Sequence, residues 1–109
     1  MDCVLVFITA PDMETARSLA RVLVEERLAA GVNLVPGVRS IYRWKGEIHD
    51  EPEVQLLLQT RADRVADLAE RVAALHPYEV PEVMALPIAA GHVPYLDWIR
   101  SEVNGPSAG

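Results

Sequence analysis

The order of apolar segments along the chain limits its fold more than any other feature of the sequence. The pattern predicts strand, helix, strand, strand, helix, strand and a short final helix, at residues 3–8, 13–30, 32–44, 47–60, 63–75, 83–88 and 94–100. Two split βαβ units with right-handed crossovers place their strands in one antiparallel sheet, with both helices on one face. The sequence therefore predicts an α+β, ferredoxin-like fold (βαββαβ plus a C-terminal helix).

Local patterns favour each of these elements. Residues 3–8 are apolar at every position, which is typical of a central strand covered on both faces. Apolar residues at helical spacing follow from Ala16 to Leu23, and Gly31 is predicted to end this helix in a left-handed conformation. Pro77 and Pro81 stop the second helix and set the approach to the fourth strand.

The second and third strands are too long for the rest of the sheet. Each has about 13 residues around the Lys45-Gly46 turn, or roughly 40 Å, whereas the first and fourth strands have about six residues each. Their hairpin must protrude, and its tip carries Ile41, Tyr42 and Trp44. Because an exposed apolar ribbon is marginal in water and prone to pairing, we expect an oligomer in which this arm lies on a neighbouring subunit.

Length and charge narrow the classes of function. The 109 residues suffice for one domain, predicted at residues 1–103, with a flexible tail at 104–109. Ten basic residues are scattered among 16 acidic ones, for a net charge of −6, which disfavours nucleic-acid binding. The longest apolar run has six residues, too few to cross a membrane. The lone Cys3 and the absence of a signal-peptide pattern predict a cytoplasmic protein.

Six sequence blocks, in order along nearly the whole chain, resemble the CutA family of divalent-cation-tolerance proteins. They are TAPD at 9–12, ERLAAGVN at 26–33, PGVRSIYRWKG at 36–46, HPYE at 76–79, LPI at 86–88 and YLDW at 95–98. The resemblance implies a cytosolic homotrimer of ferredoxin-like subunits whose long hairpins extend intersubunit sheets. It also implies a link to tolerance of copper and other divalent metals.

The resemblance also implies candidate copper ligands. The copper ligands proposed in the family are a cysteine before the TAPD block and a histidine pair before Pro-Tyr, and these positions hold Ile8, Leu75 and His76 here. Only His76 retains a metal-binding side chain. Its position between a helix end and a proline leaves a second interpretation open, in which the ring caps the helix or packs. Cys3, at the start of a buried strand, is predicted to pack as a small hydrophobe.

Another set of polar residues lies on the arm. His49, Glu51 and Glu53 alternate along a strand and therefore share a face, where they could hold a divalent ion or form a solvated acidic edge.

The third set of candidates consists of aromatic and acidic residues. Near an intersubunit cleft they could line a small-molecule site or pack at an interface, and they are Tyr42, Trp44, Tyr78, Glu79 and Glu82. Tyr95 and Trp98, three residues apart on the last helix, are predicted to lie in the core.

Three functions remain open from the sequence. The first is a trimeric protein that binds copper or another divalent cation, with no cofactor required for folding. The second is a signalling trimer, similar to the nitrogen-regulatory PII proteins, with ligand clefts between subunits. The third is an enzyme of unknown substrate, which is disfavoured because the sequence lacks a phosphate loop, HExxH, CxxC and GxSxG. We therefore predict a non-enzyme whose partners are its own subunits and divalent metal ions.

Overall fold

The computed structural model describes residues 2–105 and contains four strands and three α-helices. The elements are β1 (Cys3–Ala10), α1 (Met13–Glu25), β2 (Gly31–Trp44), β3 (Glu47–Arg61), a short 3-10 turn (Ala62–Arg64), α2 (Val65–Leu75), β4 (Met84–Pro87) and α3 (Val93–Glu102). The strands form one sheet in the order β2-β3-β1-β4, and every neighbouring pair is antiparallel. The predicted α+β class and the predicted order of elements are confirmed.

The core lies between the helices and the central strands. The apolar residues of α1 and α2 pack on fully buried side chains from β1 and β3, which include Val6, Ile8, Leu56 and Leu58. A second, smaller cluster joins Cys3 to Ile99 of α3, so Cys3 packs as predicted and burial raises the pKa of its thiol. The packing of these two clusters holds the helices on the sheet, and the long hairpin extends from that sheet.

Helix α1 ends five residues before the predicted end. Arg27, and not Gly31, adopts the left-handed conformation, with φ of 60°. The amide of Leu28 donates to the carbonyl of Leu23 (2.9 Å) and that of Arg27 to Val24 (3.0 Å), which is the bonding of a Schellman motif. Leu23 and Leu28 are both buried in the core. Because this apolar contact closes the motif, the chain turns without glycine, and Gly31 begins β2 instead.

The hairpin of β2 and β3 protrudes from the sheet, as predicted. Strand β1 pairs with β3 only from Arg61 to Val54, so residues 47–53 and their partners in β2 extend beyond it. Seven residues on each strand span about 23 Å, and the molecule is accordingly elongated, with extents of 45 × 26 × 24 Å. We call this extension, residues 38–53, the arm. A β-bulge at Pro36 and Gly37 joins it to the sheet, with φ of 81° at Gly37.

The predicted burial of the last helix is wrong for the isolated chain. Tyr95 is 46% exposed and Trp98 is 39% exposed, and their rings contact each other at 5.3 Å between centroids. Only Ile99 of α3 is fully buried. The spacing correctly indicated one helical face, but a single chain provides no second layer to cover that face.

Two further predictions concern membrane crossing and the C-terminal tail. Within residues 2–105 no helix is long and apolar enough to cross a membrane. The predicted tail at 104–109 falls mostly outside the described residues, and within them the amide of Asn104 donates to the carbonyl of Arg27 at 3.1 Å.

Candidate functional site

A cleft of about 560 Å³ lies between the arm and the segment that joins α2 to β4. We call that segment, residues 76–83, the cleft loop. Three aromatic and three acidic side chains line the cleft, together with Arg39: they are Tyr42, Trp44, Tyr78, Glu53, Glu79 and Glu82. Five of the six predicted site residues therefore lie together here. The sixth, His76, lies at the base of the cleft loop.

The cleft loop is attached to the arm by a tyrosine–carboxylate pair. The Tyr78 hydroxyl donates to Oε2 of Glu53 at 2.6 Å, a short hydrogen bond of the kind that a charged acceptor makes. Glu53 is only 7% exposed although it lies on the arm. The alternation of charged residues along this strand predicted an acidic edge or a metal site at Glu53. It could not predict this pair, because 25 residues separate the two partners.

The pair changes how Tyr78 titrates. Burial, followed by the hydrogen bond to the Glu53 carboxylate, raises the pKa of Tyr78 well above the ordinary value near 10. Burial and the nearby Glu51 carboxylate also raise the pKa of Tyr42. Because neutral Tyr78 is the hydrogen-bond donor, the pair stabilises the fold fully below pH about 10 and loses this contribution as pH rises through the raised pKa.

We expect the ultraviolet absorbance of tyrosinate to reveal this shift. The wild type and Tyr78→Phe should give the same absorbance change up to about pH 11, since Tyr78 keeps its proton where an ordinary tyrosine loses it. If Tyr78 titrated normally, the variant would lose the signal of one of the three tyrosines.

His76 is buried beneath the cleft, with both ring nitrogens in use. Its exposed fraction is 8%, its Nε2 lies 2.7 Å from the carbonyl oxygen of Thr9, and its Nδ1 accepts the amide hydrogen of Tyr78 at 3.1 Å. A carbonyl can only accept, so Nε2 carries the proton and Nδ1 holds the lone pair. The ring therefore fixes the start of the cleft loop. Its position at the end of α2 is also as predicted, since the amide of His76 donates to Val72 in the last turn.

A lysine occupies the rim of the cleft. The Lys45 ammonium lies 3.1 Å from Oε1 of Glu79 and 5.5 Å from the centroid of the Trp44 ring. This contact joins the arm turn to the cleft loop, although both charged side chains are about two-thirds exposed. Exposed pairs of this kind contribute little to stability and open readily.

The arm does not gather His49, Glu51 and Glu53 into a metal site, which was one of the two interpretations of this strand. Nδ1 of His49 lies 3.3 Å from Glu51, but its ring stacks on Tyr42 at 5.1 Å and Glu53 bonds to Tyr78. Residues 2–105 contain no group of three or more His, Cys, Asp or Glu side chains placed to hold a metal ion. A complete metal site would need ligands from elsewhere, such as another subunit.

Nearly the whole chain matches a known protein family. The model of the CutA1 divalent ion tolerance protein family matches residues 4–102, which include every helix and strand except the first residue of β1, and the whole cleft. This chain belongs to the CutA1 family. The sequence blocks that carried the resemblance therefore identified the family correctly.

Individual CutA1 relatives support the same conclusion. The divalent-cation tolerance protein CutA of Thermus thermophilus is 57% identical over 99 residues, which cover 91% of this chain and 96% of that protein. A solved structure of the divalent cation tolerance protein from the same species has a TM-score of 0.91 at 54% identity and covers 94% of this chain and 99% of that one.

The human relative is longer than this chain. Human protein CutA is 48% identical over 101 residues, which cover 93% of this chain but only 56% of the human protein. The chain thus spans nearly all of its bacterial relative and about half of the human one. The shared part is the domain that holds the arm and the cleft.

Proposed function

We propose that the protein is a homotrimer of ferredoxin-like subunits that confers metal tolerance by binding divalent cations, copper in particular. Membership of the divalent ion tolerance family supports the role in tolerance. The strand order β2-β3-β1-β4 and the alternation of helices and strands support the ferredoxin-like description. The arm supports the trimer, because it is far longer than the sheet of one subunit needs.

We propose Nδ1 of His76 as the metal-ligating atom. The observation that carries this assignment is the 2.7 Å hydrogen bond from Nε2 to the carbonyl of Thr9. Metal-binding histidines commonly donate their other ring N–H to a backbone carbonyl, which fixes the ring and leaves a lone pair on the ligating nitrogen. Here only the amide of Tyr78 would need to leave Nδ1. Imidazole and carboxylate are suitable ligands for copper(II), and a neighbouring subunit would supply the ligands that this chain lacks.

Calorimetric titration with copper(II) tests the assignment. We expect His76→Ala to lower the copper affinity by at least roughly 10- to 100-fold, since even the loss of a group that only orients a metal ligand has an effect of this size. His92→Ala is the matched control, because this histidine is exposed at the start of α3 and should leave the affinity unchanged. Equal affinities for the wild type and His76→Ala would remove His76 from the site.

The cleft favours a second candidate function. A volume of about 560 Å³ exceeds the needs of a single ion and falls within the usual range for small-molecule sites. A trimer resembling the PII signalling proteins would bind a metabolite there, with the open side of the cleft facing a neighbouring subunit. A thermal-shift screen of metabolites tests this function, since a ligand specific for the folded protein raises its melting temperature.

Both candidate functions are binding functions, and we propose that the protein is not an enzyme and acts in the cytoplasm. The sequence lacks the catalytic motifs named above, and its single cysteine suits a reducing compartment. A substrate-turnover screen of the purified protein and fractionation of cells that produce it test these two proposals.

A further inference from the structure

The floor of the cleft holds a buried carboxylate without a cationic partner. Glu53 is 93% buried, and the only hydrogen bond of its side chain within residues 2–105 joins Oε2 to Tyr78. The other oxygen, Oε1, accepts no hydrogen bond from these residues and is not itself enclosed by them, and none of their cationic side chains lies at ion-pair distance from Glu53. A carboxylate oxygen that opens into a partly enclosed cleft attracts a positive charge more strongly than one in open water. The floor therefore favours a cationic occupant.

The walls of the cleft narrow the kind of cation. Tyr42, Trp44 and Tyr78 line the same cavity as Glu53. Aromatic faces attract cations through the ring quadrupole and at the same time cover apolar carbon atoms. A bare metal ion prefers nitrogen, sulfur or oxygen ligands and would use neither the three rings nor the volume. An ammonium group on an aliphatic chain would use both.

The protein's own lysine demonstrates this chemistry at the rim. The Lys45 ammonium is held between the carboxylate of Glu79 and the ring of Trp44. Lysine is itself an aliphatic amine, and its contact with both groups shows that the rim accepts an ammonium. Because the pair is largely exposed, Lys45 can leave and expose both groups to a ligand.

The remaining charges around the cleft agree with a cationic ligand. Three carboxylates and one guanidinium line it. The guanidinium belongs to Arg39, which is already paired with Asp50 at 2.6 Å. Glu82 also lines the cleft. The cleft therefore offers more than one carboxylate, which suits a molecule with two amino groups.

We propose that this cleft binds an aliphatic diamine or polyamine, with one ammonium on Oε1 of Glu53 and the chain along the rings of Trp44 and Tyr42. The inference rests on the second candidate function, because it names the ligand class of that cleft. Lys45 is a tethered competitor that the second ammonium displaces from Glu79.

Calorimetric titration of the full-length protein with 1,4-diaminobutane tests the proposal, in buffer of physiological ionic strength. The wild type should bind the diamine and should not bind 1,4-butanediol, the neutral molecule of the same length. Glu53→Gln should weaken binding at least about tenfold, since it removes a buried charged acceptor. Trp44→Leu should weaken it about fivefold through loss of the cation–π contact.

Two further variants separate the proposed site from general attraction to an acidic protein. Glu70→Gln removes the same charge from the surface of α2, outside the cleft, and should leave diamine binding unchanged. Lys45→Met removes the competitor and should tighten binding about threefold. If Glu53→Gln does not fold, Trp44→Leu and Lys45→Met carry the test. Equal losses in Glu53→Gln and Glu70→Gln, or no diamine binding by the wild type and Lys45→Met, would overturn the proposal.

Copper titration of Glu53→Gln distinguishes this inference from the proposed metal site. The variant should lose diamine affinity and should keep its copper affinity, because Glu53 lines the cleft and is not the proposed metal ligand. Copper binding by a wild-type protein that does not bind the diamine would overturn the inference alone. Displacement of copper by the diamine, with both affinities lost in Glu53→Gln, would reassign the cleft as a metal site and also overturn the inference.

Discussion

If the protein is the proposed trimer, replacement of residues 41–50 by an Asn-Gly turn is expected to lower its mass in solution from about three times the 12.0 kDa chain mass to the mass of one chain. Ser40 and Glu51 are directly opposite in the ladder, so a two-residue turn can join them without changing register. None of the removed residues is buried. The shortened chain should therefore keep its fold, with native-like circular dichroism, while it loses the contacts between subunits.

The exposed apolar side chains of the arm tip give the physical reason. Ile41 is 69% exposed and Ile48 is 66% exposed. In the proposed trimer these side chains contact a neighbouring subunit, and burial removes their cost in water.

Sedimentation velocity at micromolar concentration is the measurement for both forms. The double variant Ile41→Ser, Ile48→Ser keeps the full length of the arm and should weaken assembly to a smaller extent. A wild-type protein that sediments as a monomer, or a shortened one that still sediments as a trimer, would contradict the proposed role of the arm.

The second large effect is expected in the core. Leu58→Ala should lower the free energy of unfolding by about 3 kcal/mol, the usual cost of a cavity at a fully buried leucine. For a domain of this size the melting temperature should fall by roughly 12–20 °C. Leu58 lies on β3 between Val6 of β1 and Val32 of β2, so the sheet cannot readily close around the cavity.

Val24→Ala is the matched control for the core variant. Val24 lies in the last turn of α1 and is exposed. Its replacement should change the free energy of unfolding by about 0.5 kcal/mol or less. Calorimetry of the two variants at equal protein concentration compares them directly, and equal shifts in melting temperature would contradict the assignment of Leu58 to the core.

The sequence predicted those features that depend on local periodicity. Apolar spacing predicted the two long helices and all four strands, and the length of the β2–β3 hairpin predicted the protruding arm. The end of α1 could not be read in the same way, because Arg27 replaces the glycine that usually marks a left-handed cap. The signal that was present, an apolar residue at Leu28 able to contact Leu23, depends on the packed core.

The candidate site was only partly predictable for a related reason. The residue types of the cleft loop and its turn at Pro77 and Pro81 indicated a candidate binding segment. Its docking on the arm depends on the Tyr78–Glu53 pair, which joins segments distant in sequence. Likewise, helical spacing gave one face to Tyr95 and Trp98, but it could not say whether that face is covered within one chain. Periodicity predicts the conformation and the apolar face of one segment, whereas contacts of this kind depend on how two segments pack together.

The bulge at Pro36 and Gly37 decides which side chains of the arm meet the cleft. Val35 lies opposite Gln55 while Val38 lies opposite Glu53, so β2 has one extra residue there. Side chains alternate between the two faces of a strand. The extra residue therefore moves every β2 side chain beyond the bulge to the opposite face of the sheet. Even-numbered residues, among them Tyr42 and Trp44, come to share the face of Glu53. A deletion of one residue at the bulge would leave the composition of the arm nearly intact and turn its aromatic face away from the carboxylate.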